Sequence, residues 1–221
     1  MKNKIFDLTL TIKDGMTTFP VPWHPRVEIS TQGRMGLEKR ETKKITFGTH
    51  TGTHVDAPKH FIKKGKSIDK VSLDILNGEA LIVDLSYKKN FSEVSVSELK
   101  KIIKKRYKRI ILNYNWSKKI NSMDYYKQHP YLSKEAAKFL IKNGCKLLAM
   151  DTPMPDNPKN GYGCEIDSPI HKILLGNNCV IVEYLNNTNL IKKKNKVDLI
   201  VAPLKIENAD GAPARVFAIS K

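Results

Sequence analysis

The sequence predicts an α/β protein, one domain over residues 1–221, with a β-rich first half. Three observations predict it. Apolar residues alternate with polar ones through the first third of the chain. From residue 79 onward, strand-like apolar runs alternate with helix-like segments. The 221 residues carry 40% hydrophobic and 28% charged side chains, an ordinary balance for one packed core, and no linker, repeat or low-complexity block divides them.

Phe6, Leu8, Leu10 and Ile12 recur at period two, as do Val27 with Ile29 and Ile45 with Phe47, so each pair or run reads as a strand. Between them Phe19-Pro20-Val21-Pro22-Trp23-His24-Pro25 is a rigid, proline-rich loop. Ala80–Leu85 is an apolar run suited to a buried strand. Ser95 opens a helix with Glu98 three residues on, a capping box, and Leu99, Ile102, Ile103 and Arg106 follow at helical spacing. Arg109–Leu112 is the next strand. Ser133 caps a second helix that Gly144 ends. Lys146–Met150 is a further buried strand. Ser168-Pro169 starts a short helix, with proline at its favoured first position. Cys179–Tyr184, Val197–Val201 and Arg215–Ile219 complete the strands.

The formal net charge is +17. Clustered cations would suit nucleic-acid phosphates. Here the lysines are scattered, the densest runs (Lys100-Lys101, Lys104-Lys105-Arg106 and Lys192–Lys194) lie in or beside ordinary elements, and no nucleic-acid motif accompanies them. The reading is therefore no nucleic-acid partner, with the positive field left to draw in anionic substrates. No apolar stretch has the length of a membrane span, and the first residues alternate like a strand around Asp7 and not like a leader, so a cytoplasmic location without a membrane partner is expected. Cys145, Cys164 and Cys179 are odd in number and form no CxxC pair, which favours packing over a disulfide framework or a thiolate metal site. Trp116 and Tyr125-Tyr126 are read as packing residues.

The chemistry concentrates in His50-Thr51-Gly52-Thr53-His54-Val55-Asp56-Ala57-Pro58-Lys59-His60, which holds three of the six histidines and a carboxylate. Imidazole with carboxylate suits Zn²⁺ or Mn²⁺. In an extended chain His50, His54 and Asp56 share one face. His54 and Asp56 would then stand roughly 7 Å apart, within reach of one ion, but His50 and His54 roughly 13 Å apart. The chain must bend between them, and Gly52 is the residue that permits it. Pro58 ends the strand and turns His60 out as a loop residue. Downstream, Glu183 is a carboxylate inside an apolar run, which burial makes expensive unless it is paired or coordinated. His171 alone is a weaker signal.

This segment resembles the HxGTHxDxPxH signature of the cyclase superfamily of metal-dependent hydrolases, which includes kynurenine formamidase-like and isatin hydrolase-like proteins. The resemblance extends to Asp7-Leu8-Thr9, Gly15-Met16, Met150-Asp151-Thr152-Pro153 and Asp210-Gly211-Ala212-Pro213-Ala214-Arg215. It implies a swivelling β/β/α fold, one or two bound ions (Zn²⁺, or Mn²⁺ instead), and a homodimer or homotetramer. By motif it implies His50, His54 and Asp56 as ligands of a first ion, Asp56 shared with a second, His171 as the second ion's histidine, Glu183 as a glutamate bridging the two, and His60 as the acid/base. Phe19 stands where kynurenine formamidases carry a substrate-contacting aromatic, normally Trp, and Trp23 and His24 lie close by. These three are the expected substrate-binding residues.

The implied activity is hydrolysis of an amide or lactam C–N bond of a small molecule by metal-activated water, arylformamidase-like. The alternatives are hydrolysis of another cyclic amide, a lactone or an ester, a metal-stabilised binding protein without catalysis, and a basic nucleic-acid-binding protein.

Overall fold

The computed structural model describes residues 4–220. Its strands are β1 (Lys4–Asp7), β2 (Glu28–Gly33), β3 (Thr42–Thr46), β4 (His54–Asp56), β5 (Gly78–Asp84), β6 (Glu93–Val94), β7 (Arg109–Asn113), β8 (Tyr131–Leu132), β9 (Leu147–Met150), β10 (Val180–Glu183), β11 (Lys196–Pro203) and β12 (Gly211–Ser220). The helices are α1 (Leu73–Leu76), α2 (Val96–Ile102), α3 (Met123–Lys127), α4 (Lys134–Lys142) and α5 (Pro169–Gly176).

The main sheet runs β1-β12-β11-β5-β7-β9-β10-β4, and β12 pairs back onto β4. Seven strands therefore close into a barrel, with β1 added beside β12. One edge of the long β12 is shared end to end: Gly211–Pro213 pairs with β4, and Phe217–Ser220 with β1. Strands β5, β7, β9 and β10 run parallel. Parallel neighbours require crossovers, and α2, α4 and α5 provide them. The remaining main-sheet pairings are antiparallel.

Burial on both faces explains the continuous apolar runs. Ala80, Ile82, Ile111, Ala149, Val182 and Val216 fill the barrel interior with Val55 and Ala212. Their alternates Leu81, Val83, Leu112, Leu148 and Ile181 face Leu99, Ala136, Leu140, Ile170 and Leu174 of the covering helices. The capping box is formed: Ser95 accepts from the backbone N–H of Glu98, whose side chain accepts from the backbone N–H of Ser95. Ser95→Ala should lower stability by about 1 kcal/mol, read as a lower urea midpoint at unchanged slope.

Several expectations shift. Leu8–Ile12 is not a strand; Leu10 instead donates its N–H to Thr53 Oγ1, which ties this segment to the site. Among the described residues β2 and β3 pair only with each other, and Phe47 lies outside them. Arg106 lies beyond α2, which ends at Ile102. Cys145 and Cys179 are buried with their sulfurs 3.8 Å apart, but Cys164 is exposed, so packing accounts for two of the three cysteines. Trp116, Tyr125 and Tyr126 are buried core residues. Among the described residues no helix is long and apolar enough to cross a membrane.

Candidate metal centre

The site lies on the outer face of the barrel, where β4 meets β10 under α5. The pairing sets His54 opposite Glu183 and Val55 opposite Val182. Val55 and Val182 fill the interior, so strand alternation sends His54, Asp56 and Glu183 to the other face. Glu183 ends β10 at the carboxyl edge of the parallel strands, where open α/β sheets commonly hold ligands.

The chain bends where reach demands it. β4 spans only three residues, and Gly52 turns in the left-handed region at φ +60°. His50 Nδ1 thereby comes within 2.8 Å of Asp56 Oδ1. His171 arrives on α5, which starts at Ser168-Pro169 as expected, although the Ser168 hydroxyl does not cap it. The buried Asp156 carboxylate does, accepting from the backbone N–H of Ile170 at 2.6 Å and of His171 at 3.1 Å. The same carboxylate takes His171 Nδ1 at 2.6 Å, so one group caps the helix and aims the ring.

Three histidines share one arrangement: one ring nitrogen is tied to an acceptor and the other faces the central carboxylates. His54 is tied through Nδ1 to the Gly52 carbonyl at 2.8 Å, and its Nε2 lies 3.2 Å from Asp56 and 3.4 Å from Glu183. His171 is tied to Asp156, and its Nε2 lies 3.4 Å from Asp56 and 3.2 Å from Glu183. His50 is tied through Nε2 to Asp210 at 2.7 Å and turns Nδ1 to Asp56. Anchoring the outer nitrogen is how proteins fix the tautomer of a metal-ligating histidine.

Burial disfavours charged imidazole here, yet Asp56 and Glu183 raise His54 to about 10, and Asp156, Asp56 and Glu183 raise His171 well above its ordinary value. Burial likewise pushes Asp56 up, but His50, His171 and His54 together hold it well below the usual carboxylate range. Even so, His54 Nε2, Asp56 Oδ2 and Glu183 Oε1 are buried without a hydrogen-bond partner among the described residues. Leaving such atoms unpaired costs about 1–3 kcal/mol each. A cation shared by these donors would satisfy all three, and an imidazole and carboxylate set fits Zn²⁺ or Mn²⁺. Two donor groups, His54/Asp56/Glu183 and His50/Asp56/His60, each hold their ligand atoms within 4.8 Å and share Asp56.

His60 sits in a short 3₁₀ turn, Pro58–His60, with its Nδ1 3.1 Å from Asp210 Oδ2 and its ring 4.0 Å from that of His50. A cavity of about 290 Å³ opens over the centre. Phe19, Val21, Trp23 and His24 form one wall, and Phe61, Met154, Tyr162 and Tyr184 belong to the rest of the lining. Phe19 meets Tyr126 edge-on at 5.9 Å, Trp23 meets Tyr162 edge-on at 4.3 Å, and His24 lies nearly parallel to His50 at 6.1 Å. Burial, together with the neighbouring His50, His54 and His60, lowers His24 to about 4, so it is neutral at pH 7.

Eight of the nine residues singled out in the sequence (Phe19, Trp23, His24, His50, His54, His60, His171 and Glu183) line this cavity, and the ninth, Asp56, lies beneath them. Sequence reasoning missed Asp156 as a partner of His171, gave Asp210 no role, and did not see Tyr162 or Tyr184 in the lining. Asp156 and Asp210 sit in short Pro- or Gly-flanked stretches that read as turns, and nothing local announces their partners.

Residues 6–157 match the Cyclase family model. A kynurenine formamidase of Bacillus cytotoxicus is 30% identical over 174 residues, covering 79% of this chain and 78% of that protein. That of Bacillus mycoides is 29% identical over 211 residues, covering 95% and 94%. Among solved structures, isatin hydrolase A from Labrenzia aggregata bound to benzyl benzoate superposes with a TM-score of 0.89 at 24% identity, over 98% of this chain and 93% of that one. At that identity the likeness is one of fold.

Proposed function

The chain belongs to the cyclase family, and on that premise we propose that it is a metal-dependent hydrolase of an amide or lactam C–N bond, arylformamidase-like in its substrate. The observation that carries the reading is the set of three histidines, each tied at one nitrogen and turned at the other toward the carboxylates of Asp56 or Glu183, in a cluster where His54 Nε2, Asp56 Oδ2 and Glu183 Oε1 have no hydrogen-bond partner among the described residues. His50, His54, Asp56, His171 and Glu183 are the proposed ligands. The sharing of Asp56 between two donor groups favours a pair of ions over one. Bound there, a divalent ion supplies a water of lowered pKa and polarises a carbonyl.

The chain's own residues do the rest. His60, at the rim of the centre, is the proposed acid/base that takes a proton from water and gives one to the leaving amine. Phe19, Trp23 and His24 form an aromatic wall against which a planar aryl group would lie. His24 is neutral and, among the described residues, no Lys or Arg lines the cavity, so the wall suits an uncharged ring better than an anion. Exposed Met35, Leu37 and Ile45 on and beside the β2–β3 hairpin suit burial against a second copy, in keeping with a homodimer or homotetramer.

The test is hydrolysis of N-formylkynurenine by metal-stripped protein before and after Zn²⁺ or Mn²⁺ is restored. The expected result is a metal-dependent kcat/KM within about 10⁴–10⁸ M⁻¹s⁻¹. Restored turnover of isatin and not of the formamide would move the substrate to cyclic amides. Metal binding with no turnover on any amide, lactone or ester would sink the hydrolase reading.

A further inference from the structure

We propose that Asp210 is a positioning residue shared by the metal centre and the acid–base histidine, setting the tautomers of His50 and His60 at once. The inference rests on the hydrolase reading for what those tautomers do, but its geometry stands apart. A single oxygen, Oδ2, lies 2.7 Å from His50 Nε2 and 3.1 Å from His60 Nδ1. The two rings are 4.0 Å apart and tilted by 33°. For His60 this is the only side-chain hydrogen bond among the described residues.

Asp210 can do this because the barrel holds it. Its carbonyl accepts from the N–H of Ala57, and the next residue, Gly211, pairs with Asp56 across the seam between β12 and β4. A Cβ on Gly211 would stand 2.7 Å from the Val55 carbonyl oxygen and 3.0 Å from His50 Cε1. The bare backbone of Gly211 therefore leaves the room in which the His50 ring reaches the carboxylate.

The consequence is a division of nitrogens. With an ion bound, His50 would donate from Nε2 to Asp210 and offer its Nδ1 lone pair to that ion, on the side where Asp56 stands. His60 donates from Nδ1 and keeps the Nε2 lone pair. The latter is not the form free histidine favours in water, so it needs a partner such as Asp210 to impose it. Removing a group that anchors a ligating histidine typically costs about 10–100-fold in metal affinity or activity.

The experiment uses the full-length Zn²⁺-loaded protein with ¹⁵N-labelled imidazoles, as wild type, Asp210→Ala and Asp210→Asn, at a pH about two units above the ordinary histidine value. Long-range ¹H–¹⁵N spectra assign each ring's tautomer, and Zn²⁺ affinity is measured by chelator competition. The expected result is an Nδ1–H His60 in wild type that moves toward Nε2–H in Asp210→Ala. Affinity should fall about 10–100-fold, and kcat should fall at unchanged KM. Asp210→Asn, which keeps the shape but not the charge, should lie between the two, and it carries the test if the alanine variant does not fold. Unchanged His60 tautomer and unchanged affinity in the variants would overturn the proposal. A tautomer shift in a protein whose wild type hydrolyses nothing would fail the hydrolase reading and leave the positioning intact.

Discussion

Asp56→Ala is expected to abolish metal binding and hydrolysis together, the largest effect of any single substitution in this chain. Asp56 is fully buried and lies within 3.4 Å of His50, His54 and His171. It is also the residue that both candidate donor groups share. The loss should therefore exceed the about 10–100-fold that follows from deleting a group that merely supports a ligand. Metal content after dialysis and kcat/KM are the readouts; a variant that keeps its metal at wild-type affinity would remove Asp56 from the ligand set. The metal-free protein carries a second signature. The folded-state pKa of Asp56 lies well below 3.8, so its ionised form stabilises the fold above the unfolded value, and that stability is lost as pH falls through the folded value. Metal-free wild type should thus lose stability in acid below about pH 4, and Asp56→Ala should lose less of it. Near pH 7 the variant instead leaves buried imidazolium short of a counter-charge, a defect that costs about 3–5 kcal/mol in buried pairs.

What could be read from the sequence is local chemistry, and what could not is closure over distance. The Ser95–Glu98 box, the Ser133 cap and the Gly144 stop each involve groups within a few residues, and all three form. The bend at Gly52 was legible because an extended strand cannot bring His50 to His54. The barrel was not. Its closing strand β4 has three residues, and the half of β12 that meets it begins Gly211-Ala212-Pro213, which reads as a turn. Pro213 is tolerated because its carbonyl serves the N–H of Leu204, while the next N–H, from Ala214, goes to the Thr53 carbonyl. Leu8–Ile12 has the alternation of a strand but spends its hydrogen bonds on Val216 and on the Thr53 hydroxyl. The two anchoring carboxylates are equally non-local: Asp156 lies 15 residues from His171, and Asp210 lies 160 from His50. Ligands bunched in one motif were found; their orienting partners exist only in the folded chain.

His60→Ala is expected to retain the metal and lose activity by about a hundredfold to ten-thousandfold, the range that general acid–base help supplies. Two facts set the direction. His60 lines the cavity at the rim and is partly exposed, in contrast to the buried His54 and His171, so its ring can meet both substrate and solvent. Its Nδ1 is occupied by Asp210, so only Nε2 is free to exchange a proton. Against this stands the ligand group His50/Asp56/His60, whose atoms are close enough to share an ion. The two roles separate cleanly in one preparation. An acid/base lowers kcat with metal content and KM near wild type; a ligand takes the metal with it, and activity then returns in part when excess Zn²⁺ or Mn²⁺ is supplied. The dependence on leaving group divides them again. If His60 protonates the departing amine, the variant should be most impaired on amides whose amine is a poor leaving group, and least on activated esters, which leave without a proton.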